Sequence, residues 1–239
     1  MIEEELTRYG FAPDIGDERL GEAYEHCPAV QKSIIKNAVA FAYALAQTGI
    51  EPVSECRRFG HVERQVCSEP LDWAFFAVDQ RRFPPTAIFS AMVQALVAKV
   101  GVLVAYIDGP VTEPLLFGFD LLSVDQLFTR DPQGALNVLA ASGRGVAVDL
   151  AGTGLDFPLV LRPDPARYGV AVRLPESEYA SAYAQVTAQT APQPHSHPYI
   201  VYGGEAGDAP VVMDEKFLGC WPWDVLTPEA FRHTSVLFR

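Results

Sequence analysis

Positive charge is scarce in this chain of 239 residues: 18 lysines and arginines stand against 30 aspartates and glutamates, for a formal net charge of −12. Such an excess of carboxylates repels a phosphate backbone and offers no counterion release, so DNA and RNA are excluded as partners. Long apolar runs are also missing. No stretch reaches the roughly 20 residues that cross a bilayer, which leaves the membrane out as a partner. The acidic opening, residues 1–20, lacks the basic start and apolar centre of a secretion signal, so a cytoplasmic address is expected. Cysteine is sparse and scattered. Cys27, Cys56, Cys67 and Cys220 form no Cys-x-x-Cys pair and no regular spacing with histidine, so reduced, mostly buried thiols are expected.

What is present is ordinary globular material. With 49% hydrophobic and 20% charged residues, the chain is long enough to bury a core, and disorder is not its default. From Cys27 to Gln47 the apolar positions Val30, Ile34, Ala38, Phe41, Ala42 and Leu45 recur at three- and four-residue steps, which predicts a long helix. Pro28 fits its first turn and Gly49 stops it. Residues 57–70 are polar and irregular, with one short strand at their centre.

An alternating pattern then begins. Strands are predicted at residues 73–78, 102–107, 125–129 and 146–150, with helices at 86–100, near 113–122 and at 133–143 between them. Each helix acts as the crossover that returns the chain to start another strand in the same direction. The expected class is therefore α/β, a doubly wound, mostly parallel, Rossmann-like sheet with loops gathered at the carboxyl ends of its strands.

After residue 155 the pattern changes to short extended pieces at 158–162, 168–174, 198–203 and 209–213, with one helix around 176–190. Short antiparallel strands added to the sheet edge, or a small second lobe, are expected there. Residues 1–155 then form the Rossmann-like domain with its long amino-terminal helix, and 156–239 an extension packed on the same domain. The proline-rich segment 191–198 is expected to be a surface connection.

Several positions carry possible chemistry. Gly152, Thr153 and Gly154 follow the strand at 146–150, where an α/β protein often turns its backbone toward a phosphate. The dinucleotide fingerprint also needs a third glycine leading into a helix, and Pro158 with the residues after it reads as extended. The turn is thus expected to survive as geometry without its nucleotide contacts. Asp108, in an Asp-Gly step, ends the strand at 102–107. Asp79, Arg81 and Arg82 follow the strand at 73–78, where an arginine fork could clamp a carboxylate or phosphate, a plain salt bridge being the alternative. His195 and His197 could share a metal if Asp208 or Asp214 joined them, but a polar loop between prolines is the simpler account, and zinc is not expected. Phe217, Trp221 and Trp223 form an aromatic knot that seals a small core, with an oligomer contact as the runner-up. His61 and His233 have no partner that the sequence names.

Over residues 29–155 the order and spacing of these pieces resembles the amino-terminal, nucleotide-binding half of histidinol dehydrogenase, truncated and diverged. Pro70, Leu71 and the strand from Trp73 match that family's entry into its first strand, and "FAVDQ" at 76–80 stands where it has Tyr-Val-Pro-Gly-Gly. The segment "FPPTAIFSAMVQALVAKVGV" at 83–102 is similar to its Tyr-Pro-Ser-Thr step and following helix. "RDPQGALNVLAASG" at 130–143 and "GTGL" at 152–155 resemble its Gly-Gly-Ala-Gln-Ala helix and its Gly-Pro-Gly-Asn turn.

The resemblance implies cofactor-contacting positions at Phe76, Gln133, Gly152, Thr153 and Gly154, with NAD the cofactor it leaves open. It also implies damage. Phe76 lacks the tyrosine hydroxyl, Leu155 replaces an asparagine, and Asp79 with Gln80 replaces two glycines, setting a carboxylate beside a pyrophosphate. The family's zinc ligands and Glu-His acid/base pair have no counterpart, and Glu25–His26 precedes the first long helix. The expectation is a relative that kept the sheet and lost the catalysis. It would act as a small-molecule-binding or interaction protein, with a homodimer as its candidate assembly. The competing expectation is an NAD-linked oxidoreductase with a metal-free site at the strand ends, using Asp79, Arg81 or Asp108.

Overall fold

The computed structural model describes residues 2–46, 53–174, 178–187, 198–205 and 207–239. Its centre is a five-stranded sheet in the order β5–β4–β3–β6–β7, built from β3 (Trp73–Val78), β4 (Val102–Ile107), β5 (Gln126–Phe128), β6 (Gly145–Asp149) and β7 (Val160–Leu161). Every pairing in it is parallel. All six residues of β3 are buried, because helices cover both faces and no position is left to face water. Alternate side chains sort to opposite sides. Ala74, Phe76 and Val78 join one core with α3 (Ala29–Ala46), α4 (Pro85–Val97) and α5 (Glu113–Leu121). Trp73, Phe75 and Ala77 join a second with α1 (Ile2–Arg8) and α6 (Pro132–Ser142).

The helices between the strands begin where the sequence can start them. Pro85 and Pro132 sit at the first turns of α4 and α6, where the missing N–H costs nothing. The Asp131 carboxylate accepts from the Gly134 N–H at 2.9 Å and caps α6. From Pro85 to Ala95 every residue of α4 is buried, so this helix lies between the sheet and the rest of the chain. A further helix, α2 (Asp17–His26), packs on α5.

Two smaller sheets complete the fold. β1 (Val53–Phe59) and β2 (Val62–Pro70) form a hairpin around Gly60–His61, and the final strand β11 (Arg232–Phe238) pairs with β2, all antiparallel. This hairpin replaces the single short strand expected over residues 57–70. The antiparallel pairing expected in the last third of the chain occurs at β11. The short strands β8 (Val170–Val172), β9 (Ile200–Tyr202) and β10 (Val211–Met213) instead run parallel to one another. Between β8 and β9 the helix α7 (Glu178–Thr187) supplies the crossover that parallel pairing requires.

The last third is fastened to α4 and shares its core. Tyr168, Tyr183, Val186, Trp221, Trp223 and Phe231 belong to the same buried cluster as α3 and α4. Ser90 Oγ donates to the Trp221 carbonyl at 2.7 Å, and Trp223 Nε1 donates to the Ala87 carbonyl at 3.0 Å. The aromatic knot therefore seals core. Cys27 and Cys220 are buried as expected, whereas Cys56 is exposed and Cys67 half-buried. Among the described residues no helix is long and apolar enough to cross a membrane.

Candidate functional site

The chain winds outward from β3 through β4 to β5, then returns to the other side of β3 for β6 and β7. That reversal puts the switch point between the carboxyl ends of β3 and β6, and sheets of this kind hold ligands in the crevice at such a point. Three loops converge on it: Asp79 to Arg82 after β3, Asp108 and Gly109 after β4, and residues 149–156 after β6.

The loop after β6 is organised by Asp149, a residue that sequence reasoning passed over. Its side chain is 1% exposed. Oδ1 accepts from the N–H groups of Gly152 at 2.6 Å and Thr153 at 3.1 Å, and from Thr153 Oγ1 at 3.3 Å. Oδ2 accepts from the Gly154 N–H at 3.0 Å. Successive backbone N–H groups of this kind make an anion-binding concavity. Here the anion is the protein's own carboxylate. Gly152 and Gly154 have φ of 76° and 73°, a conformation that glycine adopts without strain. The signal in the sequence was the spacing Asp-x-x-Gly-x-Gly at the end of a buried strand.

Gln133 pins the same loop from α6. Its Oε1 accepts from the Asp156 N–H at 2.8 Å, and its Nε2 donates to the Asp156 carbonyl at 3.0 Å and to Asn137 Oδ1 at 2.9 Å. The amide expected to contact a cofactor is thus engaged in holding the loop's shape. Phe76 lies inside the sheet, 0% exposed, stacked on Phe231 with ring centroids 5.8 Å apart. At an even position of β3 its ring belongs to the α4 side of the core.

On the opposite wall Asp79 is buried and turned inward. Its Oδ1 accepts from the Arg81 N–H and from Arg81 Nε, both at 2.8 Å. The Asp79 carboxylate in turn holds the Arg81 guanidinium above its ordinary value. Arg81 also reaches Asp108, with Nη2 to Oδ2 at 3.8 Å. The structure therefore brings Asp79, Arg81 and Asp108 together, as one linked charge group. Gln80, buried beside them, donates to the Pro110 carbonyl at 2.9 Å and accepts from Thr112 Oγ1 at 3.0 Å, which ties the β3 loop to the β4 loop.

Arg82 differs from its neighbours. It is exposed, and its guanidinium lies against Gly152: a Cβ added there would fall 1.8 Å from Arg82 Nη1. Arg162 is engaged by Asp149 at 4.0 Å and by the Leu155 carbonyl. Among the described residues Arg82 has no carboxylate within ion-pair distance. Its guanidinium thus stands at this rim without the carboxylate partner that Arg81 and Arg162 have.

The other sequence candidates lie apart from the crevice. His195 and His197 fall outside the described residues. Asp208, considered as their third ligand, accepts from Arg173 at 2.6 Å and from the Glu205 N–H at 2.9 Å, and Asp214 lies 3.6 Å from Lys216 Nζ. Among the described residues no three histidine, cysteine, aspartate or glutamate side chains gather as a metal site. Glu25 and His26 sit on the exposed end of α2. A groove of about 490 Å³ runs beside α3 and α7, lined by Asn37, Tyr179 and Lys216, away from the strand ends.

No family model matches this sequence, and no curated protein matches it. Solved structures do. The fold is similar to that of histidinol dehydrogenase from Elizabethkingia anophelis, with a TM-score of 0.57 and 8% identity over 100% of this chain and 80% of that one. The likeness extends beyond residues 29–155, to which the sequence resemblance was confined. Weaker likenesses are to an NAD-dependent benzaldehyde dehydrogenase from Corynebacterium glutamicum (TM-score 0.35, 12% identity, 72% of this chain and 46% of that one) and to betaine aldehyde dehydrogenase from Staphylococcus aureus (0.36, 11%, 77% and 45%). At these identities the likeness is one of fold alone, an α/β chain built on a parallel sheet.

Proposed function

We propose that this chain uses a dehydrogenase-type sheet as a binding scaffold. It takes a small carboxylate- or phosphate-bearing molecule at the carboxyl ends of β3 and β6, and carries out no hydride transfer there. The observation that carries this reading is the Asp149 carboxylate seated on the N–H groups of Gly152, Thr153 and Gly154. A dinucleotide's pyrophosphate needs those same donors and would meet a fixed negative charge among them. Two unit charges about 4 Å apart repel by roughly 4 kcal/mol at the effective dielectric typical near a protein surface. Arg82, exposed over Gly152, is where a smaller anion finds a fork of donors without displacing Asp149. Arg81 is already committed to Asp79 and Asp108 and serves to hold the wall in place.

Thermal unfolding in the presence of graded phosphate, citrate and NAD tests this directly. At tenfold excess over the dissociation constant a ligand adds about 1.4 kcal/mol, or roughly 3 to 6 °C for a chain of this size. Phosphate or citrate should raise the midpoint of the wild type and leave Arg82→Ala unmoved, while NAD at millimolar concentration changes neither. A saturable rise with NAD restores the oxidoreductase reading, with Asp79, Arg81 and Asp108 as its site. Equal anion responses from wild type and Arg82→Ala remove Arg82 from the proposal.

A further inference from the structure

The antiparallel sheet has an open edge whose chemistry fits itself. In β2, Glu63 exchanges both backbone bonds with Arg239, each at 2.9 Å, so its N–H and C=O point away from β1. Backbone direction alternates along an antiparallel strand, so Val62, Arg64 and Val66 point toward β1 and satisfy their partners Phe59, Arg57 and Glu55. The N–H and C=O groups of Ser54, Cys56 and Arg58 therefore face outward. Among the described residues no strand pairs with that edge. An unpaired edge of this length is a template for another strand.

We propose that a second copy of this chain supplies that strand, β1 pairing antiparallel with the partner's β1 about a twofold axis through Cys56. This register sets Glu55 opposite the partner's Arg57, and Arg57 opposite the partner's Glu55. Both fall in non-hydrogen-bonded pairs, where opposing Cα atoms are about 4.5 Å apart and side chains meet most closely. Ser54 comes opposite the partner's Arg58, and Cys56 opposite the partner's Cys56. Only axes through a residue of the strand let outward groups face outward groups. An axis through Glu55 would stack glutamate on glutamate, and one through Arg57 would stack arginine on arginine, so charge selects the register through Cys56. Three hydrogen-bonded pairs of two bonds each give about six new backbone bonds.

The wider charge distribution agrees. β1, β2, β11 and Arg239 together hold five arginines (57, 58, 64, 232, 239) against three glutamates (55, 63, 69), a surplus of two positive charges, so the whole of the acidic excess lies elsewhere on the molecule. Two copies can approach along this edge without bringing their acidic surfaces together. An interface of one strand is small, which makes the dimer weak and dependent on concentration.

Sedimentation of the full chain from about 5 to 200 µM, the range of a weak interface, provides the test. The wild type should pass from monomer to dimer. Glu55→Arg alone and Arg57→Glu alone each place like charges face to face and should weaken association at least about tenfold. An equimolar mixture of those two variants should dimerise again, since one then presents only positive and the other only negative charge at the paired positions. Ser54→Pro, which removes an outward N–H and spares the bonds to β2, should also leave a monomer. With diamide as oxidant, the facing Cys56 thiols give up two protons and two electrons to form an intermolecular disulfide, and Cys56→Ser forms none. A monomer throughout that range overturns the proposal. So does a dimer that survives both charge variants, or a mixture that fails to recover.

Discussion

All six residues of β3 are buried, whereas six of the seven in β11 are exposed, although both are strands in well-formed ladders. Backbone pairing is thus common to the two sheets, and what differs is cover. Helices close both faces of the parallel sheet, and each of its positions must then be apolar. The antiparallel sheet leaves most of its side chains to water, and arginine, glutamate and serine are interspersed with valine along it. The widest test of this contrast is Phe76→Ala, which empties space in a dry face beneath Phe231. It should cost about 3 to 5 kcal/mol and lower the thermal midpoint by roughly 10 °C. A cost below about 1 kcal/mol would mean that the face can collapse or hydrate, and the contrast would fail.

The same difference decided what could be read from the letters. β3 and β4 coincide with the apolar runs at 73–78 and 102–107, because burial on two faces leaves a continuous signal. β1 and β2 were legible only as one short strand, and β11 left no trace. Its partner β2 lies more than 160 residues earlier, as in the pairing of Arg232 with Pro70, and neither strand has an apolar run as long as that of β3 to mark it. At the crevice, side-chain chemistry was legible and backbone chemistry was not. Asp79, Arg81 and Asp108 were found as strand-end charges. Asp149 escaped because its partners are N–H groups, which every residue but proline carries and no letter announces.

That makes Asp149 the next point of leverage. Asp149→Ala strips the acceptor from three backbone N–H groups in a partly closed loop and should cost about 2 to 4 kcal/mol, while Asp149→Asn keeps one oxygen and should cost less. The emptied turn then becomes a vacant anion site. Added phosphate should stabilise Asp149→Ala more than it stabilises the wild type, measured as the shift in midpoint at equal concentrations. Equal shifts would mean that the turn had relaxed and lost its donors. In the exposed sheet a comparable change should hardly register. Phe238→Ser, at a site 63% exposed, is expected to cost less than about 1 kcal/mol. It lies on β11, two strands or about 10 Å from the β1 edge, so sedimentation should be unchanged. A cost above about 2 kcal/mol would show that something covers that sheet.

The smallest effect concerns charge at the surface of the covered region. Arg19 on α2 grips Glu113 in the first turn of α5 with two guanidinium nitrogens, whereas in the exposed sheet Arg58 meets Glu63 through one contact of 2.8 Å. The grip from Arg19 holds the Glu113 carboxyl below its ordinary value of 4.5. A carboxylate whose folded value is depressed stabilises the fold while it stays ionised. That contribution is complete above 4.5 and is lost as the pH falls through the depressed value. Both side chains remain about a third exposed (37% and 34%), and solvent screening limits the gain to less than about 1 kcal/mol. Glu113→Gln should therefore lower stability slightly at pH 7, by urea unfolding, and the gap between variant and wild type should close in acid. A gap that persists at pH 3, or one that widens, would mean that Glu113 acts through packing between α2 and α5 and that its charge is incidental.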